Sequence, residues 1–209
     1  EVDELRWVTP EVARALLTNR DDLGPLDSLE ALREADALRT RPVIIARHAK
    51  AKPRSHWAAA EDDRPLAGTG KRQALASSGL YAAWAPNRIL SSPWLRCLQT
   101  VTPYSVEHGV AVKEKKSLSE AGAQRHPART TRTVASLFEK DTPSLLCTHR
   151  PVLPIVMEVL GEHLWEGSPA DILPAADPYL EPGDALVLQV TEGENPRIVS
   201  VERVRPALD

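Results

Sequence analysis

Val43-Ile44-Ile45-Ala46-Arg47-His48 is an apolar run that stops on a cation and an imidazole. Its four consecutive apolar residues read as a strand covered on both faces. Open α/β proteins place ligands just beyond the carboxyl ends of such strands. The pattern returns where Ser144-Leu145-Leu146-Cys147-Thr148 runs into His149-Arg150. Between the two, Ile89-Leu90 leads through Ser91-Ser92-Pro93 to Arg96, in the first turn of an expected helix. Histidines and arginines gathered at one sheet edge make a site for a phosphoryl group. A neutral imidazole nitrogen attacks phosphorus to give a phosphohistidine that water hydrolyses. Guanidinium groups such as those of Arg47 and Arg96 grip phosphate oxygens in pairs, which an ammonium cannot do. His149 adds a further donor.

Outward from these strand ends the order is strand, helix, strand, helix from Arg41 onward, the pattern of an α/β sheet with helices on its faces. Helices are expected over Gly70–Trp84, Trp94–His108 with a break or bend near Pro103, Thr130–Lys140 and Val152–Leu160. Short strands are expected at Arg88–Leu90 and, on an edge, at Val110–Val112. Leu186–Val190 and Ile198–Val204 alternate as an antiparallel pair around Gly193, and the proline-punctuated stretch Asp171–Pro182 is a loop. Residues 1–40 differ: Glu1–Val8 reads as a short strand, Thr9-Pro10-Glu11 as a helix start, Asn19–Asp27 as a polar connection and Ser28–Leu38 as a short helix. This segment has too few apolar residues for a core of its own. It begins abruptly and reads as the tail of something cut away.

Charge separates function classes. The formal net charge of −3 argues against general nucleic-acid binding. Yet Arg39, Arg41, Arg47, Lys50, Lys52 and Arg54 run to Ala60 without one acidic residue, straddling a strand end where they focus field on an anion. Lys50, Arg54 and Arg150 are candidates for a second phosphate. Trp57, in the loop after His48, is a candidate to stack on a base or close over the pocket. No apolar run has the length of a membrane span, and the two cysteines, Cys97 and Cys147, build no disulfide framework, so a reducing cytoplasm is the expected location. They also lack paired metal-ligand spacing, which leaves a metal site on Cys147 and His149 without support and no cofactor expected for this domain. Gly68-Thr69-Gly70-Lys71 fails as a nucleotide P-loop, because Pro65 holds the first glycine's place and Arg72 follows the lysine.

These residues resemble the histidine phosphatase superfamily, which carries Arg-His-Gly after its first strand. Arg47-His48-Ala49-Lys50 stands in that place, and its alanine is similar to the branch of short phosphohistidine phosphatases. Arg64-Pro65-Leu66-Ala67-Gly68-Thr69-Gly70-Lys71-Arg72-Gln73-Ala74 resembles the family's Leu-Thr-x-x-Gly-x-x-Gln-Ala helix entry. Ser91-Ser92-Pro93-Trp94-Leu95-Arg96-Cys97-Leu98-Gln99-Thr100 matches its Ser-Ser-Pro-x-x-Arg-x-x-Gln-Thr segment, and Cys147-Thr148-His149-Arg150-Pro151 its second histidine, where Asn is more usual than Arg150. The resemblance implies a three-layer α/β/α sandwich with a mostly parallel central sheet over residues 41–209. It implies His48 as phosphoacceptor and Arg47, Arg96 and His149 as the phosphate pocket. Leaving-group protonation needs a carboxyl near the pocket, and Glu120 lies where such enzymes often keep a glutamate.

Glu1 to Ala13 resembles the closing strand and helix of a Nudix hydrolase, without the glutamate-rich catalytic box. Such an arrangement is similar to the two-domain MutT-type proteins of mycobacteria, which act on 8-oxoguanine nucleotides and dinucleoside polyphosphates. The resemblance implies a Nudix partner domain, in the intact protein or on a neighbouring molecule, and any Mg2+ would belong to that half. Two functions follow: a phosphohydrolase acting on nucleotides or their products, or an idle module that binds nucleotide phosphate and supports a Nudix domain.

Overall fold

The structure is a computed structural model and describes residues 4–169 and 171–208. The chain divides into two compact units, Glu1–Thr40 and Arg41–Asp209. In the first unit, helix α1 (Pro10–Leu16) starts after Thr9 with proline at its first position. Helix α2 (Leu23–Glu34) begins five residues before the expected Ser28. Gly24-Pro25 does not make a connection there. It lies in the helix's first turn, where a missing N–H removes no intrahelical bond. Neither helix buries a residue, and Arg14 ties them together through Asp27 and Glu30. Residues 4–9 form no strand, contrary to expectation. Glu1 to Asp3 lie outside the described residues.

The second unit is built on β1 (Thr40–Arg47), β2 (Arg88–Ser91), β3 (Val112–Glu114), β4 (Ser144–Thr148), β5 (Ala185–Thr191) and β6 (Ile198–Val204). Among the described residues these form one mixed sheet in the order β3-β2-β4-β1-β5-β6. β1, β2, β3 and β4 pair in parallel, and β5 and β6 pair antiparallel with a register shift at Gln189/Val190. Around it lie α3 (Gly68–Ala82), α4 (Leu95–His108), α5 (Glu120–Arg125), α6 (Pro127–Ala135) and α7 (Leu153–Glu162).

The two-residue side-chain period of a strand divides the core into two layers. Val43 and Ile45 of β1 join Leu146, Leu186 and Leu188 in a cluster with Val134 of α6 and Val156 and Leu160 of α7. Ile44 and Ala46 point the other way, joining Leu145, Cys147 and Val187 in a cluster with Tyr81 of α3 and Cys97, Val101 and Tyr104 of α4. The result is the expected α/β/α sandwich, and covering of both faces explains why β1 and β4 read as unbroken apolar runs.

Several helices depart from their expected course or bounds: α3 starts and ends two residues earlier than Gly70–Trp84, and α7 ends two residues beyond Leu160. α4 runs through Pro103 unbroken and closes on Gly109 in the left-handed region. The helix expected at Thr130–Lys140 starts at Pro127 and ends at Ala135, and the short α5 before it was not foreseen. The edge strand lies at Val112–Glu114, two residues later than expected. Among the described residues no helix is long and apolar enough to cross a membrane.

Gly70, in the first turn of α3, fixes how closely that helix approaches the loop after β1. A Cβ there would stand 2.0 Å from the Lys50 carbonyl oxygen. Gly70→Ala is therefore expected to destabilise the fold by about 1–3 kcal/mol, read as a lowered midpoint in urea. A midpoint unchanged from wild type would show that the helix and loop move apart freely.

Candidate active site

Register brings the two histidines together. β1 and β4 are neighbours with Arg47 opposite Thr148, so His48 and His149 leave adjacent strands at the same level. Their ring centroids lie 5.2 Å apart. β2 flanks β4 on the other side with Ser91 opposite Cys147, and α4 then brings Arg96 back over the strand ends.

His48 is 8% exposed, and its backbone N–H donates to the Thr148 carbonyl. Its Nδ1 lies 2.8 Å from the Ala49 carbonyl oxygen. A carbonyl only accepts, so Nδ1 carries the proton and the lone pair sits on Nε2. Arg96 Nε approaches that nitrogen at 3.3 Å. Burial, with the charges of Arg96, Arg47 and Arg64 adding to it, pushes the His48 pKa down to about 3. The imidazole is therefore neutral across the physiological range, as a nucleophile must be.

His149 is fully buried; its Nε2 lies 2.7 Å from Ser92 Oγ and its Nδ1 3.5 Å from a Glu120 carboxylate oxygen. Burial, reinforced by His48 and Arg96, pushes its pKa well below the ordinary imidazole value. Its sulfur contact is with Cys97 rather than Cys147.

Arg96 is also fully buried. Its Nη2 donates to Glu120 Oε1 at 2.7 Å, its Nη1 donates to the Glu61 carbonyl at 2.9 Å, and its guanidinium lies over the Trp94 ring. Arg47 donates to the Leu180 carbonyl while its buried Nε has no partner.

A cleft of about 470 Å³ opens onto this centre, bordered by Arg47, His48, Lys50, Arg54, Glu120 and Arg150 together with Arg64. Six of the expected residues thus share one cavity wall, and Arg96 and His149 do not line it but meet its wall through His48 and Glu120. Two of the rim cations are partnered: Arg54 with Glu61 and Glu120, and Arg150 with Asp177. Trp57 does not border the cleft. Its indole N–H donates to the Ala60 carbonyl, and the Lys52 ammonium lies over its ring.

Arg64, Glu61 and Ser92 were not singled out from the sequence as site residues. Arg64 is nearly buried, held by the Glu61 carboxylate and the Lys52 carbonyl. Glu61 also lies 3.3 Å from Arg96, so its carboxylate links three guanidiniums. The available signal was the abrupt return of acid after a basic run. Thr100 and Gln73 hold the loop itself. The Ala49 N–H donates to Thr100 Oγ1, whose hydroxyl donates to the Arg96 carbonyl. Gln73 accepts from the Lys50 N–H and donates to the Pro182 carbonyl.

The buried neutral imidazoles make stability depend on pH. An unfolded imidazole takes up its proton near ~6.5, whereas folded His48 does so only at about 3. Below the unfolded value the unfolded chain binds more protons, so stability rises with pH. The contribution is complete above the unfolded value and is lost as pH falls towards the folded one. For His48 alone the expected loss at pH 5 is about 2 kcal/mol, read from urea midpoints at pH 8 and pH 5. Equal slopes for wild type and His48→Asn would contradict this.

The description of the histidine phosphatase superfamily (branch 1) matches residues 43–166. An 8-oxo-(d)GTP phosphatase of Mycolicibacterium smegmatis is 28% identical over 195 residues, which cover 93% of this chain and 57% of that relative. The chain thus spans little more than half of that relative's length. Among solved structures, the protein histidine phosphatase SixA complexed with tungstate superposes with a TM-score of 0.54 at 20% identity, covering 79% of this chain and 97% of that one. A mycobacterial glucosyl-3-phosphoglycerate phosphatase superposes at 0.55 and 18% identity, covering 81% and 100%. Both share the fold. With strand ends, register and family description in agreement, the chain belongs to the histidine phosphatase superfamily.

Proposed function

We propose that His48 is the phosphoacceptor of a phosphohydrolase acting on nucleotides or their products, 8-oxoguanine nucleotides and dinucleoside polyphosphates among them. The observation that carries this reading is the Nε2 lone pair of a neutral imidazole facing a buried arginine. In the first step Nε2 attacks phosphorus, the N–P bond forms, and the bond to the leaving oxygen breaks. Arg47, Arg96, Arg64 and His149 surround the transferring group, where fixed positive charge stabilises its equatorial oxygens. Glu120 gives a proton to the leaving oxygen and recovers one from the water that cleaves the N–P bond. Arg96 and Arg54 hold this carboxylate. A phosphate that takes over Arg96 frees the Glu120 side chain to turn to the leaving oxygen. Lys50, Arg54 and Arg150 are placed to contact a second phosphate at the rim, and Trp57 to meet a base only if its loop moves.

The substrate class rests on the 8-oxo-(d)GTP phosphatase, whose match is longer than the second unit and so extends into the first forty residues. We read those residues as the end of a Nudix-like domain plus linker, with Mg2+ serving that domain. Two buried, unpaired thiols support a reducing cytoplasm.

The test is phosphate release from a panel of nucleoside mono-, di- and triphosphates with guanine or 8-oxoguanine bases, beside a phosphohistidine protein and a sugar phosphoglycerate. The expected result is the highest kcat/KM on an oxidised guanine nucleotide. A tenfold preference for either non-nucleotide would overturn the substrate assignment and leave the His48 chemistry standing.

A further inference from the structure

A second basic region lies outside the His48 cleft. Residues 113–132 contain Lys113, Lys115, Lys116, Arg125, Arg129 and Arg132 against two acids, Glu114 and Glu120. Glu120 is engaged by Arg96 and Arg54. All six cations are exposed, and among the described residues none has an ion-pair partner. Arg129 and Arg132 are spaced i,i+3 on α6, so the helix carries like charges side by side with no acid to relieve them.

The fold holds these charges in place. The buried Thr130 hydroxyl donates to the Ser117 carbonyl at 2.7 Å, and the Thr133 and Ser117 hydroxyls pair at 2.8 Å. These bonds clamp α6 against the turn Lys116–Leu118 and fix the two basic segments alongside each other. Two clefts result. One, of about 670 Å³, is bordered by Trp94, Lys116, Arg125 and Arg129, with Asp62 and Asp63 also on its wall. The other, of about 550 Å³, is bordered by Lys115, Arg129 and Arg132, with Glu139. Arg129 borders both, so the clefts meet at its side chain. None of the residues bordering either belongs to the cleft that contains His48.

A single phosphate is satisfied by two guanidiniums and leaves the remaining cations unanswered. An extended anion of closely spaced charge answers the five that border the clefts, Lys115, Lys116, Arg125, Arg129 and Arg132, and two joined clefts suit a narrow chain better than a duplex. We infer that the joined clefts bind a chain of linked phosphates, carried by a nucleoside oligophosphate or as inorganic polyphosphate, separately from the catalytic centre. This does not depend on the role given to His48.

The test is calorimetric titration of the full chain carrying His48→Ala, so that no probe is turned over. Inorganic tripolyphosphate is expected to bind at least tenfold more tightly than orthophosphate. Two tripolyphosphate sites are expected, one in the His48 cleft and one in the joined clefts: adding Arg125→Ala and Arg129→Ala, both at exposed positions, weakens only the second, at least tenfold, and adding Arg47→Ala weakens only the first. A nucleoside triphosphate that binds more tightly than tripolyphosphate identifies a nucleotide as the source of the chain, and the reverse identifies free polyphosphate. Two sites that both survive the double substitution, or a second site that is lost with Arg47→Ala, would overturn the inference. So would tighter binding of a single-stranded oligonucleotide than of either probe.

Discussion

His48→Ala is expected to lower the rate of phosphate release by about 10³–10⁶-fold, the scale on which covalent nucleophiles matter. No neighbouring group can replace it. The other imidazole at the centre, His149, is fully buried with its Nε2 engaged by Ser92, and the arginines hold no lone pair to offer. The loss should fall on kcat, because the phosphate-binding guanidiniums remain and KM reports mainly on them. The fold should survive, since the loop is held independently by Thr100 and Gln73. A variant retaining a tenth of wild-type activity would remove His48 from the chemistry and return attention to direct attack by water.

Arg96→Ala is the second large effect, and it combines activity with stability. The side chain is fully buried and meets His48, Glu61, Glu120 and the Trp94 ring. Truncation removes a fixed cation from the transferring group, for which a loss of ~10²–10³ in kcat is expected. It also leaves Glu120 without its buried cation and takes the donor from the Glu61 carbonyl, a destabilisation of about 1–3 kcal/mol. Arg96→Lys separates the two effects. An ammonium restores charge and so part of the stability, but it cannot span His48, the Glu61 carbonyl and Glu120 at once, so activity should stay low. Circular dichroism below the melting transition and kinetics at the same temperature resolve the pair. Full activity in Arg96→Lys would show that charge alone suffices and that fork geometry contributes nothing.

Much of this site was legible because parallel strands buried on both faces announce themselves. Val43–Ala46 and Leu145–Cys147 are covered above and below, so each is an uninterrupted apolar run, and the residues ending them had to lie at one sheet edge. Arg96 followed from a helix start after a short strand. Arg64 and Glu61 were not legible as site residues, because a short segment outside the sheet reaches the pocket through tertiary placement that no local period encodes. Trp57 drew attention as an aromatic beside a basic run, yet local bonds to Ala60 and Lys52 settle it away from the cleft. α5 was missed because six residues carry too few turns for a period to show. In α2 the Gly24-Pro25 pair suggested a break although it sits where a helix tolerates proline.

The most direct test is to trap the covalent intermediate. Full-length protein is mixed with a labelled phosphate donor, quenched in alkali within one turnover, and mapped by mass spectrometry. The expected result is one phosphoryl group on the imidazole of residue 48, stable in base, lost in acid, absent from His48→Ala and present in Arg125→Ala. Phosphate release in full without any labelled imidazole, or with the label on another side chain, would contradict the account.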